Sequence, residues 1–447
     1  MLNKTIFILF LLFATISSFS QSSFNLPNLE KDKIRFELVG NLIIIPVELN
    51  GVKLSFVLDT GVSKPILFNL TNIDSLQIYK AETIMLRGLG GGDPVEAIKS
   101  KNNLLKVGNA INVNQDVYVV FDKDLNFTPR LGIPIHGIIG FSLFRSFIVE
   151  VNYSSKYIKL HKPDTYKYRR CKRCETFSIS FYNNKPYIEG EVQIDSLYTP
   201  VKLLIDTGSS DALWLFEDES LGIKPPDKMY FNDFLGKGLS GNIYGKRSKV
   251  QTFKLKTFEL NDVNSAFPDS SAISHARKFT KRNGSVCGDL LKRFNIIVDY
   301  KNARLTLKKN KNFKSPFYYN RSGIIIEQRG FIVVKEEEAS KNVNYGSPKY
   351  SNTIKLNAVN HYTYTTKPAY TIVEMREDSP AEQAGLLKGD ILLTINGKET
   401  HTLGLQKVIG YFKSKEGRPI KLTVDRNGSI LSYQFKLKDV FKQKELP

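Results

Sequence analysis

The chain is poor in the residues that support redox and metal chemistry. Its 447 residues include three cysteines, five histidines and one tryptophan. A structural zinc site uses about four ligands, and the pair Cys171 and Cys174 in "CKRC" has no second pair. The pair lies in a Lys- and Arg-rich connector, whereas a redox motif needs a thioredoxin-like βαβ context. We therefore expect no metal and no cofactor, and a local disulfide is the plausible alternative in an oxidising compartment.

Long apolar runs are missing after the first twenty residues. Those twenty combine Lys4 with the apolar stretch "TIFILFLLFATI" and small residues at Ser18 and Ser20. This pattern predicts a signal peptide over 1–20 with cleavage after Ser20, and an uncleaved anchor is the alternative. We expect an exported protein, periplasmic or extracellular, with no stable transmembrane anchor after cleavage.

Acidic residues are outnumbered. The chain has 64 Lys and Arg against 44 Asp and Glu, a net charge of +20. Such a balance can indicate binding to nucleic acid, an anionic membrane surface or acidic substrates. The sequence has no basic helix, Arg-rich arm or aromatic RNA-binding motif, and its lysines are scattered through turns and strand ends. We interpret the charge as a solvated basic surface and expect no nucleic-acid partner.

The motif of a serine hydrolase is also missing, because no Gly-x-Ser-x-Gly occurs and histidine is scarce. The sequence instead contains one motif twice. Both "FVLDTGVSKPILF" and "LLIDTGSSDALWLF" place Asp-Thr-Gly directly after an apolar run, and Asp59 precedes Asp206 by 147 residues. A lone Asp at a strand end caps a turn as often as it does chemistry, so the repetition carries the information.

A shift of 147 residues aligns more than this motif. Ser63 falls on Ser210, and "GIIGFSLFRSFIVEVNY" falls on "GSVCGDLLKRFNIIVDY". Two distant motifs in one register indicate a duplication. The duplication predicts lobes over 28–162 and 176–312, joined by a linker over 163–175.

Each copy has the pattern of a mainly β fold. Apolar runs flank the turn Asn50-Gly51, which is typical of a hairpin. Midway through each copy lies a glycine cluster, "RGLGGGDP" and "GKGLSGNIYGK". Clusters at matching places suit mobile hairpins, or flaps, that close over a ligand, while a surface turn is the alternative. The flap candidates are Gly88, Gly90, Gly91, Gly238 and Gly241.

The repeated Asp has a specific chemistry if the two copies meet about a two-fold axis. Two carboxylates within hydrogen-bond reach cannot both ionise cheaply, so they share one proton. One carboxylate can then take a proton from water while the other donates to a carbonyl oxygen. We expect Thr60 and Thr207 to bond across the axis. We expect Gly61 and Gly208 to turn backbone N–H groups toward the carboxylates.

The composition changes after residue 312. "SPAEQAGLLKGDILLTINGKE" predicts a short helix with Ser379 at the N-cap and Pro380 at its first position, then a strand ending in the turn Asn396-Gly397. A final amphipathic helix, "LGLQKVIGYFKSK", and a hairpin follow. These elements predict a further domain over 320–440, with a polar insert near 336–365.

With these motifs the sequence resembles the aspartic peptidases, and specifically the bacterial retropepsin-like aspartic proteases with a C-terminal PDZ domain. The resemblance implies two pepsin- or retropepsin-like β-barrel lobes related by pseudo-two-fold symmetry, followed by a PDZ domain, a small β-barrel with two helices. It implies an aspartic-type endopeptidase that acts on polypeptides and needs no dimer, since one chain supplies both lobes. The implied catalytic pair is Asp59 and Asp206, supported by Thr60, Gly61, Thr207, Gly208 and Ser209.

The C-terminal segment has two interpretations. By the resemblance, PDZ domains take up a protein C-terminus as an added strand, and "SGIIIEQ" is the candidate for the carboxylate-binding loop and its strand. The peptide-binding candidates there are Gly323, Ile324 and Ile325. The alternative is a domain that only packs against the protease lobes. The rival function for the whole chain is a catalytically inactive peptide-binding protein that acts through the PDZ domain and the cleft.

Two residues depart from the family pattern. Val62 stands where the second copy has Ser209, so we expect Asp59, without that hydroxyl, to be the more easily protonated partner. Cys287 aligns with Gly140 of "GIIG", unless a one-residue gap pairs the following glycine with it instead.

Overall fold

The structure is a computed structural model. It describes residues 23–441 except 71, 72, 74, 75, 123, 124, 228 and 338–361. The predicted signal peptide, and all of the predicted polar insert except its two ends, lie outside the described residues. Across the part that is described, strands dominate, so the prediction of a mainly β fold is confirmed. No helix in that part is long and apolar enough to cross a membrane.

The chain divides into two compact units. The first unit holds the residues up to Asn126 together with Ile135–Phe317, and the second holds Phe127–Pro134 together with the residues from Tyr318 onward. The assignment of Phe127–Pro134 to the second unit was not predicted, because this segment lies within the first sequence copy.

The elements of the first sequence copy are, in chain order, β1 (Lys31–Arg35), β2 (Glu37–Val39), β3 (Leu42–Leu49), β4 (Val52–Leu58), β5 (Ile66–Leu67), β6 (Glu82–Leu86), β7 (Val95–Val107), β8 (Ala110–Val120), α1 (Thr128–Leu131), β9 (Gly137–Ile139), α2 (Phe141–Ser146), β10 (Ile148–Asn152) and β11 (Tyr157–His161). The predicted hairpin is confirmed, since Leu49 of β3 pairs with Val52 of β4 around Asn50-Gly51.

The elements of the second copy are β12 (Cys174–Ser178), β13 (Ser180–Tyr182), β14 (Lys185–Ile194), β15 (Leu197–Asp206), β16 (Leu213–Leu215), β17 (Phe231–Gly238), β18 (Gly241–Leu255), β19 (Phe258–Pro268), β20 (Gly284–Cys287), α3 (Gly288–Leu291), β21 (Phe294–Asp299) and β22 (Arg304–Lys309). Short 3₁₀ turns cover Glu219–Leu221 and Ala276–Lys278.

Each copy builds a sheet of eight described strands, and the two sheets have the same strand order. In the first the order is β2-β3-β4-β9-β5-β8-β7-β6, and β3 also pairs with β7. In the second the order is β13-β14-β15-β20-β16-β19-β18-β17, and β14 also pairs with β18. The additional pairing curls each sheet into a barrel-like form.

A further sheet joins the two copies, with the order β1-β11-β10-β21-β22-β12. At its centre β10 and β21 are antiparallel, so that Val149 lies opposite Val298 and Val151 opposite Ile296. These strands lie in the segments "GIIGFSLFRSFIVEVNY" and "GSVCGDLLKRFNIIVDY", which the shift of 147 aligns. The aligned segments of the repeat are therefore bonded to each other, and the buried apolar residues of both copies form one core cluster.

Each Asp-Thr-Gly motif follows a buried strand. Phe56 and Leu58 of β4 have no exposed surface, and Leu203 of β15 has none either. β4 is paired on one side with β3 and on the other, in parallel, with β9, while β15 has the same arrangement with β14 and β20. Strands that are buried on both faces read as continuous apolar runs, which is why both motifs follow such runs.

The second unit contains β23 (Ile324–Glu337), β24 (Tyr362–Met375), α4 (Pro380–Gln383), β25 (Ile391–Ile395), β26 (Lys398–Glu399), α5 (Leu405–Phe412), β27 (Pro419–Arg426) and β28 (Ser429–Lys436), with a 3₁₀ turn over Thr400–Thr402. The sheet has the order β23-β24-β25-β27-β28, and β26 pairs with β25. The predicted helix cap is confirmed, because the Ser379 hydroxyl accepts from the backbone N–H of Glu382 and Pro380 follows it.

The cysteines divide into a pair and a buried single residue. Cys171 and Cys174 form a disulfide, and Cys287 is buried and free. The local disulfide that was left as an alternative is therefore present. Within the described ranges, no group of three or more His, Cys, Asp or Glu side chains could hold a metal ion.

Candidate active site

The two Asp-Thr-Gly loops are bonded to each other in a reciprocal way. The backbone N–H of Thr60 donates to the Thr207 hydroxyl at 3.0 Å, and the N–H of Thr207 donates to the Thr60 hydroxyl at 3.1 Å. Each hydroxyl in turn donates to a backbone carbonyl of the other copy, Thr60 to Ile205 at 2.6 Å and Thr207 to Leu58 at 2.8 Å. Both threonines are buried. The structure thus brings the predicted threonine pair together, and four hydrogen bonds fix the loops to each other.

Each Thr is followed by a glycine, and the carboxyl groups of both copies lie close to the first of these glycines, Gly61. The backbone N–H of Gly61 donates to Asp59 at 2.6 Å, and that of Gly208 donates to Asp206 at 3.1 Å. A Cβ placed on Gly61 would lie 3.1 Å from one oxygen of Asp59 and 3.5 Å from one of Asp206. A Cβ placed on Gly208 would lie 2.3 Å from the Asp59 carboxyl. Only glycine fits at position 208, because a side chain would displace the carboxyl of the other copy.

Two further hydrogen bonds join the copies outside the Asp-Thr-Gly motif, and each involves the tip of a hairpin. The side chain of Asn41, between β2 and β3, donates to the carbonyl of Ser210 at 2.7 Å. The hydroxyl of Ser63 donates to the carbonyl of Asn183, between β13 and β14, at 2.8 Å. Each loop that carries an Asp is therefore supported from the opposite copy on both sides.

The two carboxyl groups do not have the same environment. Burial and then the negative charge of Asp206 raise the pKa of Asp59 to about 7. Burial also raises the pKa of Asp206, but the guanidinium of Arg282 and the N–H groups of Gly208 and Ser209 oppose this rise. The arrangement favours Asp59 as the protonated partner. The groups that lower the pKa of Asp206 include the Arg282 guanidinium and the backbone N–H of Ser209, whereas the prediction rested on the Ser209 hydroxyl.

Two cations near the carboxyl groups were missed by sequence reasoning. Arg282 is buried and donates to the carbonyl of Gly284 and the hydroxyl of Ser285, at 3.0 and 2.7 Å. The ammonium of Lys185 lowers the pKa of both Asp59 and Asp206. Lys185 is the first residue of β14, and Leu42 is the first residue of the corresponding strand β3. The fixed shift of 147 does not align these two positions, whereas a comparison of where the strands begin would have identified Lys185.

The glycine clusters form hairpin tips that are bonded to each other. The first tip lies between β6 and β7. Its Leu89 carbonyl accepts from the backbone N–H of Ser240, in the second tip, at 2.9 Å. In return the N–H of Gly92 donates to the Ser240 carbonyl at 2.8 Å, and that of Gly88 donates to the Ser240 hydroxyl at 3.2 Å. The tips of the two predicted flaps are therefore in direct contact.

Close backbone approach explains most of the glycines at these tips. Gly90 has φ +116°, and a Cβ there would lie 2.4 Å from the Ser240 carbonyl. A Cβ at Gly238 would lie 2.1 Å from the carbonyl of Leu89. Gly241 has φ +109° in the second tip, whereas Gly91 has only the Ser271 hydroxyl within 4 Å and is not required by packing.

Leu89 anchors the first tip on the second copy. Its side chain packs against two buried clusters, one with Trp214, Leu235 and Cys287 and one that contains Phe216. Cys287, a member of the first cluster, lies opposite Asp206 in the β15–β20 pairing. The two tips must separate before a polypeptide can pass between them.

The strand register places Cys287 at the position of Gly140, so no gap is needed. Leu58 pairs with Ile139 and Asp206 pairs with Cys287, which preserves the shift of 147. Cys287 has no exposed surface, and burial together with Asp206 raises the pKa of its thiol well above the usual range. The thiol donates to the carbonyl of Ser285 at 3.7 Å, and the Ser209 side chain partly opposes the rise in its pKa.

The PDZ-type candidates lie at the start of β23, the end strand of the described sheet. Gly323 has φ +86°, and a Cβ there would lie 2.1 Å from the Cβ of Ser379. Ile324 is buried, and its N–H donates to the Ser322 hydroxyl at 3.0 Å. Ile325 is half-buried and pairs with Glu374. Gly323 is thus required by packing, and the Ile324 side chain belongs to the core of the unit.

Comparison with known families supports two of these assignments. A family model described as aspartyl protease matches residues 45–143, which include Asp59, and a model described as PDZ domain matches residues 371–426. The chain therefore contains an aspartyl protease domain and a C-terminal PDZ domain, and the predicted resemblance is confirmed. A search of curated proteins found no match.

Proposed function

We propose that the protein is an exported aspartic endopeptidase in which Asp59 and Asp206 share one proton and activate water against a peptide bond. The observation that carries the proposal is the reciprocal bonding of the Thr60 and Thr207 loops, which holds both carboxyl groups beside Gly61. Residues 1–20 support export through their signal-peptide pattern.

The environments assign the two carboxyl groups different roles. Asp206, ionised beside Arg282, accepts a proton from the attacking water, and protonated Asp59 donates to the carbonyl oxygen of the scissile bond. The water oxygen forms a bond to the carbonyl carbon. When the C–N bond breaks, Asp206 returns its proton to the leaving nitrogen and Asp59 recovers its own from the hydroxyl. The pair then again holds one proton.

Polypeptides are the proposed substrates, and protein C-termini are the proposed partners of the PDZ domain. Both Asp-Thr-Gly motifs are intact and meet in one site, which favours the enzyme over an inactive peptide-binding protein. The closed flaps favour a substrate that enters as an extended strand once the tips part.

Cleavage of an unfolded protein by the chain, followed from acid to alkaline pH, tests this function. We expect a bell-shaped rate profile. On the alkaline side activity falls near pH 7, because Asp59 with a pKa of about 7 loses the proton that it must donate. On the acid side activity falls as Asp206 is protonated and can no longer act as the base. Absence of cleavage at every pH, with the PDZ domain still binding peptides, would favour the inactive binding protein.

Substitution of Lys185 is expected to move this profile. The Lys185 ammonium favours the ionised form of both carboxyl groups, so Lys185→Met raises both pKa values and shifts both limbs to higher pH, by about one pH unit or less. The exposed residue Lys53 gives the matched control, and Lys53→Met should leave both limbs in place. An unchanged profile, or a shift to lower pH, in Lys185→Met contradicts the assigned role of this ammonium.

A further inference from the structure

The second unit has an edge at which a peptide strand can be added. β23 is the end strand of the described sheet and pairs only with β24 among the described strands. α5 packs close to β23. Since PDZ domains bind peptides by extending a sheet at an exposed edge, the space beside β23 and α5 is the expected groove. We call it the β23–α5 groove.

The segment Phe127–Pro134 lies against both walls of this groove. Its helix α1 packs against β23. The Arg130 guanidinium bonds to the buried carboxylate of Glu327 on β23 at 2.8 Å. On the other wall, the Gln406 side chain of α5 donates to the carbonyls of Arg130 and Leu131 at 3.4 and 3.3 Å. One short segment thus bonds to the strand by a charged side chain and to the helix by its backbone.

The fit of the segment depends on a residue without a side chain. Gly132 ends α1 with φ +75°, and a Cβ there would lie 2.8 Å from the Cβ of Leu405, the first residue of α5. The neighbouring Leu131 is buried, with 8% of its surface exposed. The segment therefore packs directly against the start of α5, with no room for a side chain at position 132.

The N–H groups of the loop before β23 also have acceptors within the loop. The side-chain oxygen of Asn320 accepts from the N–H groups of Ser322 and Gly323, at 3.0 and 3.3 Å. The hydroxyl of Ser322 accepts from the N–H of Ile324 at 3.0 Å. A peptide carboxylate that used these donors would have to replace bonds that already exist.

We propose that the β23–α5 groove is occupied by the chain's own segment Phe127–Pro134, and that a peptide binds there only by displacing it. An occupant on the same chain has an effective concentration of the order of millimolar, so a free peptide binds more weakly than it would to an empty groove. The segment is close in sequence to the candidate active site. Only two residues separate it from β9, and Ile139 of β9 pairs with Leu58 beside Asp59. Displacement would release one end of the connection that leads into this strand. This last consequence rests on the proposed endopeptidase function, whereas the occupancy does not.

Hydrogen exchange on the full chain tests the occupancy through a matched pair of variants. Arg130 and Arg329 both bond to Glu327, but only Arg130 belongs to the segment. In the wild type we expect slow exchange of the Leu131 and Gly132 amides, which donate to the carbonyls of Phe127 and Thr128. Arg130→Ala should speed their exchange at least about tenfold, because a charge-assisted bond to a buried carboxylate is lost. Arg329→Ala should leave it unchanged. Equal exchange in both variants, or fast exchange in the wild type, overturns the proposal.

Peptide binding gives a second test that does not need protease activity. The probe is a fluorescent peptide of residues 126–134, "NFTPRLGIP", with blocked ends, and the receptor is the full chain with residues 127–134 replaced by Gly and Ser. We expect this variant to bind the probe at least about tenfold more tightly than the wild type, and the probe with Arg130→Glu to bind neither. Equal binding of "NFTPRLGIP" to both proteins, or to neither, overturns the proposal. If the replaced chain does not fold, the exchange experiment on Arg130→Ala decides. Loss of proteolysis with normal probe binding would count against the proposed function alone.

Discussion

We expect Asp59→Asn and Asp206→Asn each to lower the rate of peptide-bond cleavage by at least about a thousandfold, since each removes one half of the proton transfer that the proposed mechanism requires. An amide at position 206 cannot take a proton from water, and an amide at position 59 is a far weaker acid than a carboxyl group. The measurement is kcat on an unfolded protein substrate at the optimum pH of the wild type. Asp195→Asn is the matched control, because Asp195 is exposed in the β14–β15 turn with φ +53°, a conformation that Asn adopts equally well.

Thermal or urea unfolding separates a dead enzyme from an unfolded one. The pKa of Asp59 is about 7 in the folded chain, above its ordinary value of 3.8. Folding therefore favours the protonated form, and the chain loses stability as pH rises between these two values. Asn at position 59 has no charge to bury, so Asp59→Asn should be more stable than the wild type above pH 7, by roughly 2–4 kcal/mol. Near pH 4 the two proteins should have similar stability.

The outcomes that contradict the paired site are specific. If Asp206→Asn is inactive while Asp59→Asn retains wild-type activity, one carboxylate suffices and the site is not a proton-sharing pair. If both variants are inactive but unfold at lower temperature than the wild type at pH 8, the loss reflects damage to the fold. Inactivity with unchanged or raised stability is the result that the structure leads us to expect.

The parts of the site that lie close together along the chain could be predicted from the sequence. An apolar run followed by Asp-Thr-Gly identifies a buried strand and its turn, and the constant shift of 147 residues predicts that the two turns are equivalent. The contact between Thr60 and Thr207 follows from that equivalence. Local pattern and repetition sufficed there because each copy uses the same backbone to present the same residue.

The contacts that differ between the copies could not be predicted in this way. Lys185 lies near the carboxyl groups because it begins β14 at the end of the hairpin where β15 reaches Asp206. The β14–β15 hairpin is longer than the β3–β4 hairpin, so the fixed shift does not align Lys185 with Leu42. Leu89 packs on the second copy, and the glycine pattern of the tips gave no sign of this partner. The contacts of the segment Phe127–Pro134 with β23 join residues almost 200 positions apart. Such contacts depend on packing between distant segments, which neither periodicity nor composition reports.

Gly140→Ala is expected to damage the protein severely, whereas Cys287→Ala is expected to be nearly harmless, although the two positions are equivalent in register. A Cβ at Gly140 would lie 1.9 Å from the carbonyl oxygen of Asp59 and 2.8 Å from that of Val62. Both contacts are with backbone, so the Asp-Thr-Gly loop itself must move. We expect a loss of about 3 kcal/mol or more in the free energy of unfolding. We also expect at least about a hundredfold loss in kcat, because a displacement of about 1 Å in a catalytic group has that effect.

Cys287 is a matched control because its backbone follows a different path. At Gly140 ψ is −100°, whereas at Cys287 it is −178°, and the Cys287 side chain packs in the buried cluster with Trp214 and Leu235. Cys287→Ala removes one buried sulfur and should cost about 1 kcal/mol, with kcat close to that of the wild type. Urea unfolding and kcat at the optimum pH measure both variants. Wild-type stability of Gly140→Ala would mean that the Asp59 loop is not held by the "GIIG" turn. Equal inactivation of both variants would instead mean that the Cys287 thiol takes part in the reaction, because its removal leaves the backbone around Asp206 in place.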